Sequence, residues 1–149
     1  MSGVRIRAAT ESDHQRVLAV VEEWWGGRHI AWLAQRLFFE HFADTSLIAD
    51  DDLGLAGFLI GFLSQSRPDE AYIHMAATRS DRRRTGLARD LYARFFELAR
   101  AAGRDVVTCI TAPTNEGSIA FHTALGFFAG LDPDHEGPGV DKIVFRVDL

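Results

Sequence analysis

Only one cysteine, Cys109, occurs among the 149 residues, so no disulfide can close within the chain. The opening MSGVRIRAAT lacks the apolar run of a secretory signal. Together these absences lead us to expect a reducing, cytoplasmic setting. No stretch reaches the roughly 18 apolar residues that span a bilayer, and no internal repeat or low-complexity segment is visible. The chain is therefore expected to have no membrane partner. The phosphate signatures GxxxxGK[ST] and GxGxxG are missing as well, which argues against a nucleotide-binding domain of those classes. There is no excess of positive charge either. The formal net charge is -5, with acids spread along the chain and arginines concentrated between positions 79 and 104. That balance disfavours nucleic acid as a partner and favours a local anion site.

What is present fits a globular chain. At 47% hydrophobic residues the length supports one domain with a real core, expected over residues 1–149. VRIRAA reads as a first strand. Thr10 offers an N-cap for a helix carrying Val17, Leu18, Val21, Trp24 and Trp25, which Gly26 and Gly27 end. A second helical pattern is expected through Leu33, Ala34, Leu37 and Phe38. TSLIADDDLGLAGFLIGFLS reads as two strands around a turn near Asp51 to Gly54, and AYIHMAAT as a strand inside a sheet. Leu87, Leu91, Phe95, Leu98 and Ala102 fall at helical spacing up to Gly103. DVVTCIT is a buried strand, TNEGSIAFHTALGF a short helix closed by Gly126, and GPGVDKIVFRVDL a loop entering a last strand. The order βααβββαβαβ, with one more strand near Phe127 and Phe128, predicts an α/β fold. Its expected form is a mixed, strongly twisted sheet of six to seven strands flanked by about four helices.

Between the central strand and its helix stands RRRTGLARD, residues 82–90. Adjacent arginines repel one another unless something anionic arrives. A glycine-containing loop entering a helix presents free N–H groups at the positive end of that helix, and Gly86 lets an anion approach the backbone closely. Arg83 and Arg84 add charge there and Thr85 a hydroxyl. The alternative is a solvated basic turn with a capping glycine.

The segment YIHMAATRSDRRRTGLARDLYARFFELARAAG, followed by NEGSIAFHTALGF, resembles the GNAT family of acetyl-CoA-dependent N-acetyltransferases. The resemblance covers about residues 4–145 in element order, and its residue-level motifs occupy about 71–127. It implies that an [Arg/Gln]xxGx[Gly/Ala] loop, here Arg83, Gly86 and Ala88 with Arg84, Thr85, Leu87 and Arg89 between and after them, cradles the pyrophosphate of coenzyme A. It implies further that Asn115, Ser118 and Phe121 lie along the pantetheine arm. The backbone of Met75, Ala76 and Ala77, running on into Thr78, would hold the thioester carbonyl. Two departures stand out. Thr78 and Ser80 occupy positions where the family often has Val and Pro, and His122 replaces the frequent general-acid tyrosine.

Acyl transfer to an amine needs an uncharged amine, a stabilised oxyanion and a proton for the departing thiolate. Tyr72 and His74 share a face of their strand. His74, with an ordinary pKa near 6.5, is the better candidate base, or else a satisfied core histidine. His122 is either the proton donor near the sulfur or a packing group. EEWWGGRHIAWLAQRLFFEHF, residues 22–42, corresponds to the acceptor region of the family, and Trp24, Arg28 and His41 are its candidate substrate-binding residues. Most of its aromatic groups fit core packing equally well. The acceptor is expected to be a small-molecule or peptide amine, with acetyl-CoA as cosubstrate and no metal. GNAT domains often pair, so a homodimer through the apolar strand KIVFRV is also expected. A GNAT-like module that binds acetyl-CoA as a sensor, with little turnover, is the competing function.

Overall fold

A computed structural model describes residues 3–149; the first two residues of the expected domain lie outside the described ones. Among the described residues, seven strands form one mixed sheet, and five α-helices accompany it. In chain order these are β1 (Arg5–Ala8), α1 (Asp13–Leu18), α2 (Val21–Trp24), α3 (Leu37–Glu40), β2 (Leu47–Asp51), β3 (Gly54–Leu63), β4 (Glu70–Thr78), α4 (Leu87–Ala101), β5 (Val106–Thr111), α5 (Glu116–Ala124), β6 (Phe128–Asp132) and β7 (Lys142–Asp148). The sheet order is β1-β2-β3-β4-β5-β7-β6. β4 runs parallel to β5, in register over Glu70–Tyr72, whereas β1–β2, β2–β3, β5–β7 and β6–β7 are antiparallel. The expected α/β class is what the chain adopts.

Contacts group the chain into two compact units, one of residues up to Phe62 with Ile73–Leu98, the other of Leu63–Tyr72 with Ala99–Leu149. In the first unit, Val17, Val21, Trp24, Phe39, Ile48, Phe58, Ile60 and Met75 share one buried cluster. The helix expected from Thr10 to Trp25 is split where the turn tightens: the N–H of Val20 reaches back three residues to Val17. Thr10 does not cap by accepting. Its N–H and hydroxyl donate to the Asp13 carboxylate at 2.9 and 3.0 Å. Arg7 and Arg16 also bind that buried carboxylate and both reach Asp50, which ties β1 and α1 to β2. Burial pulls the Asp13 pKa upward, but the hydrogen bonds from Arg7, Thr10 and Arg16 outweigh it and hold the carboxyl well below its ordinary range.

The helix expected through Leu33 and Phe38 is likewise broken, into a 3₁₀ turn at Ala31–Leu33 and the single turn of α3. The reason is long-range. The carbonyls of Leu33 and Ala34, which a continuous helix would offer to its own N–H groups, instead accept from His74 and His14.

α4 packs by its leucine and phenylalanine stripe: Leu87, Leu91, Phe95 and Ala99 are buried. Its neighbour β3 carries glycine where the two approach. A Cβ at Gly61 would stand 2.5 Å from the Phe95 ring, and one at Gly57 would stand 3.2 Å from both Leu87 and the Ala77 carbonyl. Larger residues at those places would push away the helix whose N-terminus follows the arginine loop.

In the second unit, β5 lies between β4 and β7, and β7 between β5 and β6. KIVFRV, the segment expected to join two copies, thus has both backbone edges paired. The additional strand expected near Phe127 and Phe128 is β6, an edge strand whose residues are all exposed. Among the described residues, no helix is long and apolar enough to cross a membrane.

Candidate active site

The arginine loop leaves β4 through a 3₁₀ turn at Ser80–Arg82. Its arginines divide by task. Arg79 and Arg82 converge on the Asp51 carboxylate at the end of β2, at 2.6 and 2.7 Å, and Arg79 also grips Asp81. Hydrogen bonds from Arg79 above all hold Asp51, itself 2% exposed in its side chain, well below the ordinary carboxylate pKa. Arg83 turns its guanidinium to the Trp24 carbonyl at 2.6 Å. Thr85, expected to offer its hydroxyl to phosphate, donates it to the Arg82 carbonyl. Arg84 and Arg89 are exposed and have no ion-pair partner among the described residues.

The backbone here turns left-handed twice. Arg84 has φ 62 and Gly86 φ 89, so the chain winds through two left-handed positions before α4 begins. Among the described residues, no acceptor takes the N–H of Arg84, Gly86, Leu87, Ala88 or Arg89. Five unclaimed donors stand at the positive end of a helix of 15 residues, with two unpaired guanidinium groups beside them. Such a place binds phosphate through the backbone first and through side chains second.

In the same unit, His74 is half-buried on β4. Its Nε2 lies 2.7 Å from the Leu33 carbonyl. A carbonyl can only accept, so the proton sits on Nε2 and Nδ1 keeps the lone pair. Phe38 stacks on the ring at 4.5 Å and 22°. Burial pushes the imidazole pKa below its ordinary value, and the bond to Leu33 opposes this only in part. The ring is therefore neutral at pH 7 and able to accept a proton at Nδ1. Beyond it on β4, Met75 is buried, while Ala76, Ala77 and Thr78 are half-buried.

Of the three candidate acceptor residues, Arg28 and His41 are exposed, and the Arg28 guanidinium lies 5.7 Å from the Trp25 ring. Trp24 is buried and stacks with Phe58 at 6.1 Å, so its side chain belongs to the core.

The second unit holds the remaining candidates. Tyr72 is half-buried and its phenol is pushed up to about 12, mainly by burial, so it stays protonated through the neutral range. Asn115 caps α5: its Oδ1 accepts from the Ser118 N–H at 3.2 Å, and its Nδ2 donates to Thr111. Phe121 is half-buried on the same helix. His122 is buried and stacks on Phe145 at 4.2 Å and 12°, and its Nδ1–H donates to the Ser118 carbonyl at 2.7 Å. Burial moves its pKa down. Among the described residues, no group of three or more His, Cys, Asp or Glu side chains is arranged to hold a metal ion.

Sequence reading missed Asp51 as the anchor of the loop. The alternation Arg-Ser-Asp-Arg was its one trace, since only distance shows that a turn acid meets two arginines some thirty positions later. It also missed the Leu33 carbonyl, which sets the tautomer of His74.

Residues 7–127 match the profile of the acetyltransferase (GNAT) family. An L-2,4-diaminobutyric acid acetyltransferase from Nocardia farcinica is 26% identical over 117 residues, covering 70% of this chain and 61% of that protein. The chain thus matches less than two thirds of that relative's length. A GNAT-family protein from Desulfovibrio desulfuricans superposes with a TM-score of 0.85 at 24% identity, covering 98% of this chain and 99% of that one. A diaminobutyrate acetyltransferase from Paenibacillus lautus, solved with L-2,4-diaminobutyric acid and coenzyme A, superposes with a TM-score of 0.79 at 19% identity, covering 99% and 96%. At such identities the two superpositions speak for the fold.

Proposed function

This chain belongs to the acetyltransferase (GNAT) family, and from that premise we propose that it is an acetyl-CoA-dependent N-acetyltransferase, working as a single domain over residues 1–149. It transfers an acetyl group to a primary amine of a small molecule or peptide by direct attack in a ternary complex. One observation carries the reading: the five unclaimed N–H donors of Arg84 and Gly86–Arg89, flanked by the unpaired Arg84 and Arg89, make a seat for a pyrophosphate. Arg83 and Thr85 shape that seat from behind, and Leu87 anchors it in the core.

Acetyl-CoA, when bound, supplies an activated acyl carbon and a thiolate leaving group. The residues of the chain do the rest. The backbone of Met75, Ala76 and Ala77, with Thr78 at its end, binds the acyl oxygen, and the small side chains of Ala76 and Ala77 leave room for it. Nδ1 of His74 takes the proton of the attacking amine, directly or through a water, while its Nε2–H stays on Leu33 and keeps the ring from turning. The phenol of Tyr72, protonated at neutral pH, is the proton donor in this reading, although burial makes it a weaker acid than an exposed tyrosine. His122, whose Nδ1–H is engaged with Ser118, is the rival donor. Asn115, Ser118 and Phe121 border the pantetheine arm, with Asn115 holding the start of α5. Arg28 and His41 bind the acceptor, and Trp24 supports the acceptor segment from within the core. A small acceptor bearing amine and carboxylate, of the kind bound by the Paenibacillus lautus enzyme, is supported by the exposed guanidinium of Arg28. We place the protein in a reducing cytoplasm, where the lone buried Cys109 stays a thiol. Association into a homodimer would use the edge strand β6 rather than β7.

The test is thiol release from acetyl-CoA against a panel of amines that includes L-2,4-diaminobutyrate and a peptide N-terminus. Amine-dependent release supports the reading. Coenzyme A binding without release above background for any amine makes the chain a sensor module instead.

A further inference from the structure

The first arginine of the loop motif does not face the loop. Arg83 donates from Nη2 to the backbone carbonyl of Trp24 at 2.6 Å, across 59 positions of sequence. That carbonyl needs a partner because of how α2 ends. The N–H of Gly27 closes on the Glu22 carbonyl at 2.7 Å and that of Gly26 on Glu23 at 3.1 Å. Both glycines have left-handed φ, 74 and 80, as this helix stop requires. The stop uses the carbonyls of Glu22 and Glu23 and leaves Trp24 for Arg83.

We infer that Arg83 is a positioning residue that ties the pyrophosphate loop to the end of α2, so that occupancy of the loop orders the acceptor segment Trp25–Ala31. The inference rests on the proposed function of that loop. Three observations support it. The anchor is rigid, because the Trp24 ring is buried and stacked on Phe58. The segment is closed on α2 at both ends: it leaves from Trp24, and the N–H of Ala31 returns to the Glu22 carboxylate at 3.1 Å. The other end of the strut is next to the donors, since Arg84 and Gly86–Arg89 follow Arg83 directly and the ion cluster on Asp51 holds the residues before it. Arg83, held through Nη2 on a carbonyl 2.6 Å away, contributes geometry to the loop, while Arg84 and Arg89 contribute charge.

Hydrogen exchange with and without saturating coenzyme A tests this on the full chain. In the parent, coenzyme A should slow exchange over residues 84–91 and also over 24–32. Arg83→Met should keep the first effect and lose the second, with exchange over 24–32 faster by about tenfold, the weight of a charge-assisted hydrogen bond. Arg83→Gln retains a donor and should restore part of the response at 24–32, which a merely packing role for the side chain would not predict. If Arg83→Met responds over 24–32 like the parent, the strut does not couple the two segments. If that variant loses the effect over 84–91, Arg83 is a phosphate ligand and the inference is overturned. Absence of any slowing over 84–91 in the parent is a different result, because it removes the proposed coenzyme site itself.

Discussion

Nε2 of His74 donates to the carbonyl of Leu33 across 2.7 Å, and this one bond decides which nitrogen of the ring can take a proton. With Nε2 occupied, Nδ1 is the basic atom, and burial has lowered its affinity for a proton. The base is then available below the ordinary histidine pKa of about 6.5.

Thiol release from acetyl-CoA should therefore rise with pH through an apparent pKa below about 6.5. His74→Gln should lower turnover on the order of 10²-fold and remove that limb, while the affinity for acetyl-CoA stays near the parent. Tyr72→Phe is the companion, since a drop confined to it moves the proton chemistry to the phenol. Pre-steady-state release across pH reads all three proteins, and a His74 variant with full rate and the parental profile would return that ring to packing.

Two half-buried or buried imidazoles with lowered pKa, His74 and His122, also make stability depend on pH. Below about 6.5 the unfolded chain binds protons that the folded chain resists, so stability is full above that pH and falls as the pH drops through it. Thermal midpoints should decline from pH 7 to pH 5. His122→Phe, which can still stack on Phe145, should flatten the decline. An unchanged slope in that variant would mean that His122 is not among the groups responsible.

Gly61→Ala puts a methyl group 2.5 Å from the Phe95 ring and should destabilise by about 1–3 kcal/mol, the usual cost of overpacking. Gly57→Ala, with nearest atoms at 3.2 Å, should cost less. Denaturant midpoints rank the two, and the reverse order would contradict the close approach of α4 to β3.

Asn115→Ala removes a side-chain cap from α5 and should cost about 1 kcal/mol of stability. Its effect on the Michaelis constant for acetyl-CoA should follow from the displaced start of α5, so Asn115→Asp, which keeps the accepting oxygen, should restore both. Rescue of stability alone would assign the Nδ2 group a direct contact with the pantetheine arm.

Local chemistry was legible in the sequence, and long-range chemistry was not. The stripe Leu87, Leu91, Phe95 gave α4, and the glycines at 26, 27, 103 and 126 gave stops, because each signal is complete within one turn. The glycine turn in RRRTGLARD was legible for the same reason, with Gly86 at φ 89. The helix expected through Leu33 and Phe38 failed because His14 and His74 take its carbonyls from 20 and 41 positions away. β6 left only a faint trace, since a strand exposed on both faces has no apolar alternation to reveal it. The loop arginines looked alike in sequence, yet Asp51 and the Trp24 carbonyl, both distant in the chain, assign Arg79, Arg82 and Arg83 to structure. Arg84 and Arg89 have no ion-pair partner among the described residues.

In the proposed function a pyrophosphate sits on the N–H groups of Arg84 and Gly86–Arg89. Isothermal titration of acetyl-CoA into the parent, Arg84→Glu and Arg89→Glu tests it most directly. Each substitution should weaken binding by about 1.5–3 kcal/mol, as expected when a charge-assisted hydrogen bond gives way to repulsion, and the difference should shrink as salt is raised. Binding by both variants as tight as that of the parent, at every salt concentration, would contradict the assignment.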